Sequence, residues 1–254
     1  MLRYESTLAP GVHIAFTSVA EGNLAIHVPD DRDAVLLRRR ELEHHLGLGT
    51  QRFNYMNQVH SATVLDATGG ESNAQVPTCD ALVSPDAGQP LAVMVADCVP
   101  VALVGTGEKG VTSAVAHAGR RGLLEGILTS TVERMRAVGA TALEAWIGPA
   151  ICGRCYEVPL DMAEEAGSQR PGIVTQTRQG TAGLDLPGEA ARELRDLGVA
   201  VTESGTCTLE EKDFYSYRRD PDTGRLAGLI WKIPGSASTV PAPGEEWPTG
   251  DTPL

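Results

Sequence analysis

Apolar residues along the chain occur in short continuous runs, separated by turn residues and by segments with helical spacing. Runs of this kind predict strands that are covered on both faces of a sheet. Because Gly, Pro, Asp and Asn bound most of the runs, each is expected to be a separate strand. Strands are predicted within residues 11–28 and at residues 53–59, 91–96, 111–116, 143–147, 199–202 and 229–232.

Helical spacing of apolar residues predicts the helices. A carboxylate at Asp30 or Asp31 can cap the first helix, which ends near Leu46, where a glycine follows. Further helices are predicted at residues 121–138 and 187–197. Residues 167–183 show neither the strand pattern nor the helix pattern, which predicts a long exposed loop.

Length and composition predict one domain over residues 1–233. The chain has 254 residues, of which 42% are hydrophobic and only 4% aromatic, so a large aliphatic core can form. Residues 234–254 are rich in Pro, Gly, Ser and Thr. They cannot bury enough apolar surface to offset their ordering entropy, which predicts a disordered tail.

The net charge and the number of cysteines argue against several classes of protein. A formal net charge of -12 disfavours binding to nucleic acid and to anionic membranes. The chain starts without a signal-peptide pattern, and its apolar runs are shorter than the roughly 18 residues of a membrane span. Five dispersed cysteines, an odd number, argue against a disulfide framework. These features predict a cytoplasmic protein.

Three residues of types that commonly bind metals each follow a predicted strand: His60, Cys98 and His117. Catalytic zinc commonly has three protein ligands of this kind and one open position. Covered sheets place ligand sites at the carboxyl ends of strands. The separations of 38 and 19 residues match no local metal motif. Two interpretations stay open at this point: a zinc site, or two loop histidines with a core cysteine.

A basic turn follows His117, with Arg120 and Arg121 at the start of a predicted helix. Free backbone amides, a helix N-terminus and guanidinium groups together favour phosphate binding. The helix dipole disfavours cations at this end, and a bound anion would remove that conflict. The alternative is a solvent-exposed basic cap.

Cys152 and Cys155 form a CxxC motif. A structural zinc site of this type needs a second pair, and neither Cys79 nor Cys207 belongs to one. We therefore predict a structural role for both cysteines without a metal.

Several motifs, in order, resemble those of the YfiH-like proteins, a family also described as laccase-domain proteins, multicopper polyphenol oxidases, peptidoglycan editing factors and purine nucleoside phosphorylases. The resemblance covers residues 11–232. The matching segments are residues 57–60 (NQVH), 96–101 (ADCVPV), 116–122 (AHAGRRG), 146–158 (WIGPAI to CYEV) and 214–225 (FYSYRRD to TGR).

The resemblance implies a single α+β domain with four layers, α/β/β/α, in which helices cover mixed sheets, as in cytotoxic-necrotizing-factor-like hydrolases. It implies zinc bound by His60, Cys98 and His117. It also implies phosphorolysis of adenosine, inosine, guanosine and methylthioadenosine, with adenosine deamination as a second activity. Purine nucleosides and phosphate are then the expected partners.

On this interpretation Cys98 and His117 are catalytic, and Asp97 either orients a metal-bound histidine or acts as general base. Arg121 is the predicted phosphate ligand. The further predicted substrate contacts are Arg120 and Arg218, as alternatives for phosphate, and Asn23 and Gln58. The chain departs from the family in two places: Arg120 stands where the family has Trp, and residues 16–24 form a shorter loop that lacks an Arg.

Three alternatives to the phosphorylase remain. A metal-free cysteine hydrolase or deamidase would use Cys98 as nucleophile and His117 as base, but it does not require His60. A copper polyphenol oxidase would need more histidines than the six present. An editing role on peptidoglycan precursors is the third.

Overall fold

The computed structural model describes residues 1–67 and 76–233. Five α-helices lie within these residues: α1 (Arg32–His45), α2 (Arg120–Leu124), α3 (Ile127–Ala137), α4 (Leu160–Gln169) and α5 (Leu186–Asp196). The strands are β1 (Leu2–Glu5), β2 (Val12–Phe16), β3 (Val64–Asp66), β4 (Ala81–Ser84), β5 (Leu91–Val95), β6 (Val99–Gly107), β7 (Gly110–Ala118), β8 (Ala142–Ile147), β9 (Val174–Gln176), β10 (Ala182–Leu184), β11 (Ala200–Glu203) and β12 (Leu226–Lys232).

Most of these strands form two sheets. One has four strands in the order β1-β2-β12-β5, and every pair in it is antiparallel. The other has six strands in the order β11-β8-β6-β7-β4-β3 and is mixed, since its two outermost pairs are parallel and the inner pairs antiparallel. Strands β9 and β10 form a separate antiparallel hairpin.

Three apolar clusters show how the layers are stacked. In the first, Leu42 and Leu46 from α1 and its C-cap contact Leu229 of the four-stranded sheet. In the second, Ile14 of that sheet and Val104 of the six-stranded sheet meet in one cluster. The third joins the six-stranded sheet to α3, α4 and α5. The order is α/β/β/α, so the predicted α+β fold is confirmed, with mixed pairing in one sheet only.

Several predicted elements match the structure. Asp31 caps α1, and its carboxylate accepts a hydrogen bond from the amide of Ala34 at 2.8 Å. Strands β2, β5, β7, β8, β11 and β12 and helix α5 lie within or across the predicted ranges. Across residues 1–67 and 76–233, no helix combines the length and apolar character needed to cross a membrane.

Three predictions were wrong. Residues 53–59 form two isolated bridges, Asn54 to Leu91 and Asn57 to Thr78, and no continuous strand, because the partners lie on different segments. The predicted helix at residues 121–138 is broken at Gly126, where φ is 89°. The predicted loop at residues 167–183 contains the end of α4 and the β9–β10 hairpin. The tail at residues 234–254 lies outside the described residues.

Candidate metal centre and substrate cleft

Two histidines and one cysteine meet at one end of the central strands of the six-stranded sheet, where His117 lies in β7 and Cys98 directly precedes β6. Sγ of Cys98 lies 3.7 Å from Nε2 of His60. The rings of His60 and His117 are 4.6 Å apart, with an angle of 72° between their planes. One donor atom from each of the three residues lies within 4.8 Å of the others. Because His117 is buried and His60 is exposed, the cluster is closed on one side and open to solvent on the other.

A fully buried carboxylate, Asp80, holds two parts of this cluster in place. Its Oδ1 lies 2.8 Å from Nδ1 of His117, so Nε2 of that ring is left for a ligand. The carboxylate also accepts hydrogen bonds from the amides of Val59, His60 and Ser61 at 3.2, 2.9 and 2.7 Å. The hydroxyl of Ser61 donates a further bond at 2.7 Å. Asp80 thus orients one histidine and fixes the loop of the other.

The loop that carries His60 is fixed by two more side chains. The amide of Gln58 donates to the carbonyl of Met94 in β5 at 2.7 Å and accepts from the amide of the same residue at 2.9 Å. Nε of Arg121 donates to the carbonyl of His60 at 2.7 Å, and its Nη2 donates to the carbonyl of Val59. Both groups of the Gln58 amide form a hydrogen bond within the fold, and Gln58 is not among the residues that line the cleft described below.

Asp97 precedes Cys98 in the turn between β5 and β6. Its carboxylate accepts hydrogen bonds from the hydroxyl of Thr208 at 2.6 Å and from the amide of Arg218 at 2.7 Å. The carboxylate that lies against the ring nitrogen of His117 is that of Asp80 and not that of Asp97. Asp97 anchors the turn that presents Cys98.

The backbone is strained at both turns of the cluster. His60 has a φ of 60° and Asp97 a φ of 81°, values in the left-handed region that side chains disfavour. A close approach adds a third constraint. A Cβ on Gly119 would lie 2.5 Å from Cδ2 of His60 and 3.3 Å from Sγ of Cys98. Only glycine at this position leaves both ligand side chains where they are.

The charges of the cluster depend on one another. Burial opposes a thiolate at Cys98, but His117 and His60 outweigh it and lower the pKa of Cys98 to about 6. Burial also opposes an imidazolium at His117, but Cys98 and Asp80 raise the pKa of His117 to about 9. Burial opposes charge on Asp80 too, yet hydrogen bonds from His117 and Ser61 hold its pKa well below the usual range. Cys98 is therefore a thiolate near neutral pH, the form that binds metals.

This donor set fits zinc. Thiolate sulfur and imidazole nitrogen are the preferred zinc ligands, and three protein ligands with one open side are typical of catalytic sites. The carboxylate of Asp80 behind His117 is the partner that zinc-binding histidines commonly have. The residues that would hold the ion are His60, Cys98 and His117.

A cleft of about 410 Å³ opens beside the cluster, with His60, Asp97 and Cys98 in its wall. The residue types of the remaining wall suit an anion and a flat ring, because guanidinium groups bind oxyanions and aromatic rings stack. These residues include three arginines and two tyrosines: Arg120, Arg121, Arg218, Tyr156 and Tyr217.

The three arginines differ in how they are held. Nη1 of Arg218 donates to the carbonyl of Glu157 at 3.0 Å, and its guanidinium carbon lies 5.1 Å from the ring centroid of Tyr156. Arg120 lies close enough to the same tyrosine for its charge to act on the phenol. The guanidinium group of Arg121 donates to the carbonyls of His60 and Val59. Helix α2, which starts at Arg120, has only five residues, so its dipole is shorter than the sequence predicted.

Asn23 lies outside the residues that line the cleft. Its amide donates to the carbonyl of Ala25 at 3.0 Å and to the carboxylate of Asp30 at 2.9 Å. Its Oδ1 accepts from the amides of Ala25 and Arg225, each at 2.9 Å. These bonds use the donors and the acceptor of the side chain, so the structure gives Asn23 a role in the fold.

The CxxC motif has partners that sequence reasoning missed. Cys152 and Cys155 lie with Cys207 and Glu210 in a second group whose ligand atoms are all within 4.8 Å of one another. The prediction that this pair lacks partners was therefore wrong. Cys79 stands apart in the core, where burial raises its pKa to about 11.

Sequence reasoning also missed Asp80, Tyr156 and Tyr217. A signal for Asp80 was present, since it precedes the apolar strand β4 just as Asp97 and Cys98 precede β6. The tyrosines lie inside the motif segments at residues 146–158 and 214–225, and their place in the cleft required the fold.

Comparisons with known proteins agree with the motifs. A family model described as multi-copper polyphenol oxidoreductase laccase matches residues 10–233. A protein of Streptomyces griseus named purine nucleoside phosphorylase ORF3 is 42% identical over 233 residues, which cover 86% of this chain and 94% of the relative.

Solved structures share the fold. The Neisseria meningitidis protein NMB0706 superposes with a TM-score of 0.78 at 32% identity, covering 91% of this chain and 98% of that one. YfiH of Bacillus licheniformis superposes with a TM-score of 0.74 at 24% identity, covering 87% of this chain and 92% of its own. The chain therefore belongs to the multi-copper polyphenol oxidoreductase laccase family of YfiH-like proteins, as its motifs predicted.

Proposed function

We propose that this chain is a zinc-dependent purine nucleoside phosphorylase. Its substrates are adenosine, inosine, guanosine and methylthioadenosine, and adenosine deamination is a second activity. The observation that carries the proposal is the three-ligand cluster of His60, Cys98 and His117 beside a cleft with three arginines. The name of the Streptomyces griseus relative supports the reaction class.

The metal of this proposal is zinc, and the alternative is copper. A zinc ion held by His60, Cys98 and His117 would supply a Lewis acid and would lower the pKa of a bound water to roughly 7. Copper centres of laccase type would need more histidines than the chain offers, since it has six in all and two lie in the cluster. His60 and His117 each present an imidazole nitrogen, and Cys98 presents its sulfur.

We assign phosphate binding to Arg120 and Arg218. Both line the cleft beside Tyr156: the guanidinium carbon of Arg218 lies 5.1 Å from the ring centroid, and the charge of Arg120 acts on the same tyrosine. Two guanidinium groups can hold a phosphate dianion through charge-assisted hydrogen bonds. Arg121, the phosphate ligand predicted from the sequence, is assigned to positioning, because its donors hold the carbonyls of the His60 loop.

The two tyrosines provide the surface for the purine. Tyr217 is 53% exposed although it lies in the cleft wall, so its ring is accessible to a ligand in the cleft. Arg120 has replaced the aromatic that the family carries in its HAGWRG motif. Tyr156 and Tyr217 take over the aromatic role in this proposal.

Two carboxylates lie near the cluster, Asp80 and Asp97, and both oxygens of each accept hydrogen bonds within the fold. Asp80 has no exposed surface, whereas Asp97 lies in the cleft wall beside Cys98. We therefore assign the general-base role to Asp97. In phosphorolysis an oxygen of phosphate bonds to C1′ of the ribose, the bond from C1′ to the purine nitrogen breaks, and the purine leaves with the electron pair.

A second candidate function is a metal-free cysteine hydrolase or deamidase. The hydrogen bond between Asp80 and His117, together with the thiolate of Cys98, favours it, because nucleophile, base and orienting carboxylate follow one another as in catalytic triads. His60 separates the two candidates, since a triad does not require it.

The test uses purified protein with adenosine, in the presence and absence of phosphate. The proposal predicts adenine and ribose 1-phosphate with phosphate, and inosine without it. Chelation should stop both reactions, and zinc should restore them. His60→Ala and Cys98→Ala should lose activity and metal together, whereas the matched control Cys79→Ala should retain both.

Two results would contradict the proposal. One is an absence of phosphorolysis in zinc-loaded protein. The other is activity that survives chelation and His60→Ala but is lost in Cys98→Ala, which is the result expected of the cysteine hydrolase.

A further inference from the structure

A second group of metal-binding side chains lies apart from the three-ligand cluster. It consists of Cys152, Cys155, Cys207 and Glu210, and we call it the Cys3Glu cluster. Its ligand atoms all lie within 4.8 Å of one another. Sγ of Cys155 lies 3.0 Å from Oε1 of Glu210, and Sγ of Cys152 lies 3.9 Å from the same oxygen.

Backbone hydrogen bonds bring the two segments of the cluster together. The amides of Cys155 and Tyr156 both donate to the carbonyl of Cys152, at 2.9 and 3.0 Å, and form a tight turn. The amide of Thr208 donates to the carbonyl of Ala150 at 3.1 Å, so the segment of Cys207 runs beside the turn. These backbone hydrogen bonds hold the two segments side by side, and the three sulfurs are therefore close together.

The geometry and chemistry of the cluster suit a four-coordinate metal. Tetrahedral zinc with sulfur ligands at about 2.3 Å places neighbouring sulfurs about 3.8 Å apart, within the spread of this group. The amide of Cys152 points at Sγ of Cys207 at 3.4 Å, a contact that stabilises a metal-bound thiolate. Four protein ligands leave no open position, as in structural zinc sites.

Nearby arginines balance the charge. Zinc neutralises only half of the charge of three thiolates and one carboxylate. Arg178 forms an ion pair with Glu210 at 2.5 Å, and Arg154 lies close enough for its charge to act on the same carboxylate. These two arginines would therefore offset the remaining negative charge of a metal-bound cluster on its exposed side.

We propose that Cys152, Cys155, Cys207 and Glu210 form a second, structural zinc site that is separate from the catalytic one. It joins the turn at residues 152–155 to the segment at residues 207–210.

The site would brace one wall of the catalytic cleft. The hydroxyl of Thr208, next to Cys207, donates to the carboxylate of Asp97 at 2.6 Å. The amide of Ile151, next to Cys152, donates to the carbonyl of Asp97 at 3.0 Å. Both neighbours of the proposed site thus hold the residue that precedes Cys98, and this bracing does not depend on which reaction the cleft catalyses.

Metal stoichiometry tests the proposal in the full-length protein. Elemental analysis should give two zinc ions per chain in the wild type and one in Cys207→Ala. Cys79→Ala is the matched control, since Cys79 is also buried but lies outside both groups, and it should retain two.

Cobalt substitution gives a second readout. Three of the four candidate thiolate ligands belong to the Cys3Glu cluster. Cys207→Ala should therefore reduce the sulfur-to-cobalt charge-transfer absorbance per chain to about one quarter.

Glu210→Gln covers the case in which Cys207→Ala does not fold, because Glu210 is exposed and its replacement leaves the core intact. This variant should fold and lose one of its two ions to a competing chelator about 10 to 100 times more readily than the wild type.

Three outcomes would overturn the proposal. The first is one zinc per chain in the wild type with no change in Cys207→Ala. The second is a disulfide between Cys152 and Cys155 in the native protein, seen by intact mass. The third is a Glu210→Gln variant that holds both ions as firmly as the wild type.

Discussion

Replacing Asp80 with Asn tests how the candidate metal centre is organised. Oδ1 of Asp80 accepts bonds from His117 and the amide of His60, and Oδ2 accepts from the amides of Val59 and Ser61 and from the Ser61 hydroxyl. An Asn side chain has one oxygen and one NH2 group. In either orientation its NH2 group faces N–H donors that the carboxylate had accepted, and the negative charge is lost.

The magnitudes follow from these contacts. A hydrogen bond to a charged group contributes about 1.5–3 kcal/mol, and a donor left buried without a partner costs about 1–3 kcal/mol. We expect Asp80→Asn to lower the free energy of unfolding of the metal-depleted protein by about 2–4 kcal/mol. Loss of the carboxylate behind His117 should weaken zinc binding about 10- to 100-fold, or about 1.4–2.7 kcal/mol.

Urea unfolding of chelated protein measures the first quantity, and competition with a chromophoric chelator measures the second. The Cys207→Ala background restricts the titration to the first site. Ser61→Ala is the matched control, since it removes one bond to Asp80 and keeps the charge. It should cost about 1 kcal/mol of stability and leave zinc affinity unchanged. Wild-type zinc affinity in Asp80→Asn would refute the orienting role.

Further predictions concern the loop of His60 and one ion pair. Gly119→Ala places a Cβ 2.5 Å from Cδ2 of His60, so zinc affinity measured by chelator competition should fall at least about tenfold; an unchanged affinity contradicts this. Arg121→Ala should slow phosphorolysis and deamination alike, about tenfold, because it frees the His60 loop; loss of phosphorolysis alone would show a direct phosphate contact instead. The hydrogen bond from Arg134 lowers the pKa of Asp66, so their ion pair stabilises the protein above the ordinary aspartate pKa and is lost as pH falls. Urea unfolding should therefore show Asp66→Asn less stable by up to about 1 kcal/mol at pH 7, with the gap closing below about pH 4; a gap that persists in acid contradicts the assignment.

Local sequence patterns determined a large share of the fold. Helix α1 follows from its apolar spacing, from Asp31 at its start and from a glycine after its end. The buried strands β5 and β7 follow from continuous apolar runs. These signals are local, because capping and strand burial depend on residues a few positions apart. Motif order likewise brought His60, Cys98 and His117 into one candidate site, and the structure places them together.

Only the tertiary structure decided which residues support those ligands. Asp80 and His117 are 37 residues apart, and Cys152 and Cys207 are 55 apart. The side-chain amide of Gln58 is held by the backbone of β5, 36 residues away. A side-chain amide, carboxylate or thiol bonds whatever polar group the folded backbone places within reach, and no local spacing encodes that partner. For the same physical reason, the sequence did not show that Cys207 and Glu210 lie beside Cys152 and Cys155, because the tertiary fold brings these two segments together.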